Sequence, residues 1–183
     1  MEWIKLSISP IKDLISFLNK KSKTNDVIKK QLFIELRDNL NVFRNAFINE
    51  VSYDVLIDLL SNTAIQEAIK ENFAFNKLKT GKLELKHIVD DRNKKYEGWN
   101  TEKLVDKIDE KIVELKNIKK MHNGTVENVR NNIRLMMSNL YFRMRLLADF
   151  IRSSEQLPEQ TINISIHEQP GSIEGNGIQS TPT

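Results

Sequence analysis

The longest stretch with helical periodicity, residues 125–153, constrains this chain more than any other feature. On a wheel of 3.6 residues per turn, one arc of this stretch is entirely apolar and consists of Val126, Val129, Ile133, Met136, Met137, Leu140, Met144, Leu147 and Ile151. An arc of this kind is the core stripe of a bundle helix. The pattern therefore predicts one long helix with shorter helices packed around it.

A second, smaller apolar arc lies on another side of the same predicted helix. Its residues are Leu135, Phe142 and Leu146. Because an apolar helix surface is stable only when it is covered, we expect either the N-terminal helix or another chain to pack on this arc. We favour another chain, a partner protein or a second copy, because a four-helix core needs only one stripe per helix. This arc is the predicted interface.

A third strip of the predicted helix is rich in arginine. It contains Arg130, Arg134, Arg145 and Arg152, with Tyr141 among them. Three roles are open: salt bridges within the chain, contact with the acidic surface of a partner protein, and binding of nucleic-acid phosphates with Tyr141 stacking on bases. We favour salt bridges, because an antiparallel hairpin brings the preceding helix alongside. That helix carries Glu102, Asp106, Asp109 and Glu110, and Glu102 is expected opposite Arg145.

Several shorter helices precede this one. The spacing predicts a first helix over 10–21 and a second from a cap at Thr24 or Asn25 to about residue 49. A third helical pattern begins at Ser52, and Thr63 with Gln66 resembles a capping box that restarts it. A short helix is expected over 83–89 and a loop over 90–100. A penultimate helix should begin at Asn100 or Thr101 and stop at residues 122–124, where a short turn makes an antiparallel hairpin with the last helix.

The chain changes character after residue 154. Prolines and glycines recur in residues 155–183 and no apolar face repeats, which predicts a flexible tail after a helical domain at 1–154. Alternating isoleucines at 162, 164 and 166 leave a short strand over 161–167 as a weaker alternative. The fold class expected is therefore all-α: an antiparallel bundle of five to six helices followed by a flexible tail.

Composition narrows the classes of function. The chain has 183 residues, 39% apolar and 29% charged, with no cysteine and a formal net charge of +3. The absence of cysteine excludes disulfides, thiolate nucleophiles and sulfur-ligated metals. No apolar run approaches the ~20 residues of a membrane span, and the amphipathic N-terminal segment around Trp3 is better explained by packing on the bundle than by a membrane surface. We expect a cytoplasmic protein.

No motif indicates catalysis. The layout resembles that of helical-bundle ribonucleases, which carry an Arg followed four to six residues later by a His, but none of the three histidines here follows an Arg at that distance. His87 with Asp90 and Asp91 is a loose group that a charged helix end explains better than a metal site. We expect neither a metal nor a cofactor.

These observations predict a non-catalytic helical interaction module, either a homo-oligomer or an adaptor that docks a partner protein. By analogy alone, such modules are common in bacterial and phage multi-protein systems, including defence systems. The alternative is a nucleic-acid-binding bundle that uses the arginine strip.

Overall fold

The computed structural model describes residues 8–153, and the side chains from residue 11 onward. The predicted tail, with its alternative strand at 161–167, lies outside the described residues, as does the segment around Trp3. The boundary predicted at residue 154 therefore stays a prediction.

Six α-helices and three short 3-10 helices make up the described part. They are α1 (Ile8–Lys21), α2 (Val27–Ile48), α3 (Tyr53–Leu59), α4 (Thr63–Lys70), α5 (Thr101–Met121) and α6 (Ile133–Arg152), with 3-10 helices at Phe75–Lys77, Leu85–His87 and Asp91–Tyr96. No strand occurs in residues 8–153. The predicted all-α helical bundle is confirmed.

Helix starts follow from short polar side chains. Asp26, Ser52, Asn100 and Asn132 each accept a hydrogen bond from the backbone N–H three residues later. Ser52 therefore caps the helix predicted to begin there, and Asn100 is the one of the two predicted caps, Asn100 or Thr101, that forms. The cap of α2 is Asp26 rather than Thr24 or Asn25, and the Thr24 hydroxyl instead accepts from the Asp26 N–H at 3.3 Å.

The last helix is shorter than predicted, because residues 125–132 are not helical. The Asp54 carboxylate of α3 accepts hydrogen bonds from the Thr125 hydroxyl at 2.9 Å and from the Val126 N–H at 2.8 Å. The Val126 N–H thus has an acceptor outside any helix. Helix α6 begins later, where the Asn132 side chain accepts a cap bond from the Leu135 N–H. The link between α5 and α6 is accordingly an irregular segment over 122–132 rather than the short turn predicted.

Helix α6 is the central element. Buried residues occur on every side of it, and it packs against α1, α2, α5 and the 3-10 helices Leu85–His87 and Asp91–Tyr96. This arrangement explains why its sequence carries two apolar arcs, since a helix surrounded by other elements needs apolar residues all round.

A buried carboxylate of α2 fixes the start of α4. Glu35 accepts hydrogen bonds from the Ala64 N–H at 2.8 Å and the Ile65 N–H at 3.1 Å. The predicted capping box of Thr63 and Gln66 is therefore wrong: Asn62 is the N-cap residue of α4 and makes no side-chain cap bond, and a distant helix supplies the acceptor. A negative charge at a helix N-terminus also interacts favourably with the helix dipole.

Candidate functional site

The predicted interface arc is mostly covered within the chain. Phe142 is 4% exposed and Leu146 is 3% exposed, whereas Leu135 is 53% exposed. The cover is the segment 85–96, because the Arg92 guanidinium lies 4.0 Å from the centre of the Phe142 ring and Asn93 donates a hydrogen bond to the Phe142 carbonyl at 3.1 Å. This segment is a cover that the sequence analysis did not consider. Of the three residues, only Leu135 presents an apolar surface to solvent.

The arginine strip does not form one continuous surface. Arg130 and Arg134 are exposed near the start of α6, whereas Arg145 and Arg152 both pair with Asp149, at 3.6 Å and 2.6 Å. Tyr141 is fully buried, with its ring edge-to-face against Phe43 and Phe142, so it has no face on which a base could stack.

The acidic partners expected across the hairpin have other contacts. Asp109 accepts hydrogen bonds from the Asn62 and Gln66 amides, and Glu110 pairs with Lys107 on its own helix. Asp109 and Glu110 are therefore held by other residues, and the two pairs described above, Arg145 and Arg152 with Asp149, lie within α6.

An arginine outside the predicted strip crosses the hairpin instead. Arg143 is 3% exposed and donates hydrogen bonds to the Tyr96 hydroxyl at 2.6 Å and to the Lys107 carbonyl at 3.3 Å. Its guanidinium also lies 5.2 Å from the centre of the Tyr96 ring. The sequence offered one signal for this role: Arg143 stands among apolar residues of α6. A charged side chain is buried in such surroundings only when it has polar partners.

Two neighbouring depressions lie on the side of the bundle where the chain passes from α4 to α5. The first, here called the larger groove, has a volume of about 720 Å³. Its walls include Ile69, Asn72, Phe73, Phe75, Asn76, Lys79, Lys82, Asn100, Glu102 and Asp106. None of these was predicted as a site residue, because the groove is built by an irregular segment whose path the helical periodicity does not determine.

Charges of opposite sign lie on the walls of the larger groove. Glu102 and Asp106, one turn apart on α5, form an acidic rim, whereas Lys79 and Lys82 form a basic rim. Burial raises the pKa of the Asp106 carboxyl, and the negative charges of Glu102 and Asp109 raise it further. The acidic rim therefore favours a positively charged group that would relieve this repulsion.

The second depression, here called the basic pocket, has a volume of about 480 Å³ and shares Lys79, Gly81 and Lys82 with the larger groove. Its other walls include Glu84, Lys86, His87, Phe150 and Ser153. Lys86 forms an ion pair with Glu84 at 2.8 Å. The two depressions therefore meet at one turn of the chain, residues 79–82.

His87 is held as a neutral ring in the basic pocket. Its Nδ1 accepts a hydrogen bond from the Glu84 N–H at 3.0 Å, which leaves Nε2 to carry the proton of the neutral imidazole. Burial lowers the pKa of His87, and the charges of Lys86 and Lys79 lower it further against the opposing effect of Glu84. Its ring also packs edge-to-face on Phe150, with ring centres 5.2 Å apart.

The shared turn is anchored at both ends. The Thr101 hydroxyl donates to the Lys79 carbonyl at 2.7 Å, and Leu83 exchanges backbone hydrogen bonds of 2.8 Å with Gly98 and Trp99. Gly81 has a φ of +87°, a conformation that a residue with a side chain adopts only with strain. The positions of the two lysines are therefore set before any ligand binds.

The remaining polar groups that suggested chemistry have local partners. Asp90 pairs with Arg92 and Asp91 pairs with Lys94, which accounts for the loose group around His87. Within residues 8–153, no cluster of three or more His, Asp or Glu side chains has the arrangement of a metal site. In the same part of the chain, no helix has the length and apolar character needed to cross a bilayer.

Both depressions are concave and are lined by apolar and charged residues together. Comparisons with protein-family models, with curated proteins and with solved structures found no match.

Proposed function

We propose that the protein is a non-catalytic interaction module whose larger groove binds a polypeptide segment of a partner protein. The observation that carries this proposal is the composition of the groove, which combines an exposed apolar side chain with charges of both signs. Ile69 is 44% exposed, and the largely buried Phe73 and Phe75 also line the groove. The volume of about 720 Å³ falls within the ~300–1,000 Å³ typical of ligand sites.

The polar groups of the groove match those of a peptide main chain. Asn72, Asn76 and Asn100 line it, and each amide can donate and accept hydrogen bonds, as the N–H and C=O groups of an extended segment require. A polyanion would meet the acidic rim of Glu102 and Asp106 and be repelled, so it fits this groove poorly.

The charges also specify the partner segment. An aliphatic or aromatic side chain would pack on Ile69, a basic side chain would lie against Glu102 and Asp106, and an acidic one would lie against Lys79 and Lys82. Such complementarity selects one direction of the segment, because the reversed peptide would place like charges together. A second copy of the chain is the other source of such a segment, and solution mass distinguishes it.

Selection from a displayed random-peptide library tests the proposal. We expect the full chain to enrich peptides with an apolar anchor between opposite charges. Reversing the acidic rim with Glu102→Lys and Asp106→Lys should weaken a selected synthetic peptide at least tenfold in fluorescence anisotropy, about 1.4 kcal/mol. The matched control reverses two exposed acids elsewhere, Asp13→Lys and Glu127→Lys, and should leave binding unchanged.

Two results would contradict this function. One is a selection that enriches no shared charge pattern. The other is equal weakening by the rim variant and its control, since net charge rather than the groove would then govern binding. If analytical ultracentrifugation shows a mass that rises with protein concentration and falls in the rim variant, the segment that binds is supplied by a second copy.

A further inference from the structure

Three lysines lie on or next to the turn between the two depressions. The Nζ of Lys77 lies 5.4 Å from the centre of the Phe73 ring, and the Nζ of Lys79 lies 5.6 Å from the centre of the Phe150 ring. Lys82 follows on the exposed side of the same turn. Within residues 8–153, none of these three has a carboxylate oxygen within 4.0 Å.

An aromatic ring orients an ammonium group without neutralising it. The ring attracts the cation through its quadrupole but carries no net charge, whereas a carboxylate partner cancels the charge of the lysine. Two other lysines do have carboxylate partners, in the pairs Lys86 with Glu84 and Lys107 with Glu110. At the turn, by contrast, the ammonium groups of Lys77 and Lys79 lie against aromatic rings.

The distribution of charge along the chain adds to this. None of the 28 Lys and Arg residues lies after residue 153, whereas four of the 25 acidic residues do. The described bundle is accordingly more basic than the net charge of +3 suggests. A surface of this kind attracts polyanions over a distance of about one Debye length, ~8 Å at physiological salt.

We propose that the turn formed by Lys77, Lys79 and Lys82 binds the phosphate backbone of single-stranded nucleic acid, with the basic pocket receiving one phosphate. This goes beyond the proposed function, because it assigns a ligand to the basic pocket, although Lys79 and Lys82 line both depressions. Residues 77–82 span at most roughly 18 Å, which accommodates contacts to successive phosphates. The neutral His87 adds an Nε2–H donor in the pocket.

The shape of the surface favours a single strand over a duplex. Proteins that read duplex DNA insert a protruding helix or β-ribbon into a groove, whereas Lys79 and Lys82 border concave depressions. A concave basic surface is the form that tracks the backbone of a single strand. Phe150 is fully buried and offers no face for base stacking, so we expect little sequence preference.

The test measures the fluorescence anisotropy of a labelled oligo-dT mixed with the full chain at several salt concentrations. The oligonucleotide is longer than ~16 nucleotides, the upper end of the site sizes typical of single-strand-binding folds. Three phosphate contacts predict that log K falls with log of salt concentration at a slope of about −2. The variant Lys77→Gln with Lys82→Gln removes two exposed lysines and should reduce that slope by about 1.4. The control Lys20→Gln with Lys120→Gln removes equal charge from exposed sites on α1 and α5 and should leave the slope unchanged.

Three outcomes would overturn the proposal: no binding at low salt, equal effects of the variant and its control, or tighter binding of duplex than of single strand. Circular dichroism confirms that both variants are folded. The rim variant Glu102→Lys with Asp106→Lys should retain or strengthen oligo-dT binding, so failure of the peptide groove and failure of the nucleic-acid turn are separately visible.

Discussion

Truncating Phe142 to alanine tests whether the aromatic ring of this residue holds the segment 85–96 on α6. The ring contacts the Arg92 guanidinium at 4.0 Å and the Tyr141 ring at 5.0 Å between centres, and it is 4% exposed. Removal of a buried Phe side chain costs ~3–5 kcal/mol, and the lower end applies where a cover can collapse into the space. Because the cover is an irregular segment, we expect a loss of about 3 kcal/mol, which leaves a protein of ordinary stability folded.

Urea denaturation measures the loss of stability, and limited trypsin digestion measures the release of the segment. The segment contains four trypsin sites, at Lys86, Arg92, Lys94 and Lys95. Cleavage there should be faster in Phe142→Ala at urea concentrations where the bundle is intact, because a segment that loses its anchor opens locally. Leu135→Ala is the control: since its side chain is 53% exposed, the change should stay within ~0.5 kcal/mol.

A loss below about 1 kcal/mol in Phe142→Ala, together with trypsin cleavage that is no faster, would show that the ring does not anchor the segment. A change of solution mass in the variant would also contradict this role of Phe142. A fall in mass would show that another chain packs on Phe142, as the sequence alone suggested, and that the segment 85–96 lies elsewhere in solution.

Two further predictions concern buried carboxylates. Burial raises the pKa of Asp149 above its ordinary value of 3.8, despite the opposing charges of Arg152 and Arg145. As pH rises, the Asp149 carboxyl therefore ionises in the unfolded chain before it does in the folded one. The free energy of unfolding consequently falls as pH rises above 3.8. Asp149→Asn should remove this part of the decline in urea titrations run across pH, and an unchanged pH dependence would contradict it. Glu35→Ala should cost ~1–3 kcal/mol in urea denaturation by leaving the first N–H groups of α4 without acceptors, and Glu35→Gln should cost less. Equal losses in the two variants would show that the hydrogen bonds are not the cause.

Periodicity predicted the elements whose stability comes from an apolar stripe. The stripe of α6 from Ile133 to Ile151 is buried except for the half-buried Met136, and Leu104 and Leu115 of the predicted penultimate helix are buried too. Local side-chain chemistry predicted the start of a helix at Ser52 and a cap at Asn100 or Thr101, because a cap bond spans only three residues. Both signals are short in range along the chain, so the sequence contains them whatever the tertiary structure.

The features that the sequence did not predict depend on contacts between distant residues. Asp54 accepts hydrogen bonds from Thr125 and Val126, about seventy positions later, so the predicted helix does not begin there and α6 starts at Ile133. Glu35 caps α4 from α2 in the same way. No periodicity encodes these bonds, because each becomes available only once the helices have packed.

The arginines of α6 show why a helical wheel could not place the site. A wheel records the direction of a side chain but not what lies there: Arg143 meets the Tyr96 hydroxyl, whereas Arg145 meets Asp149 of its own helix. The difference arises from the segment between α4 and α5, which covers one side of α6 and carries Tyr96 with it. That same segment supplies Lys77, Lys79 and Lys82 and most walls of both depressions. The path of this segment is set by the backbone hydrogen bonds of Leu83 to Gly98 and Trp99 and by the bond from Thr101 to the Lys79 carbonyl. Disrupting these bonds should therefore weaken peptide binding and nucleic-acid binding together, while the helices remain folded.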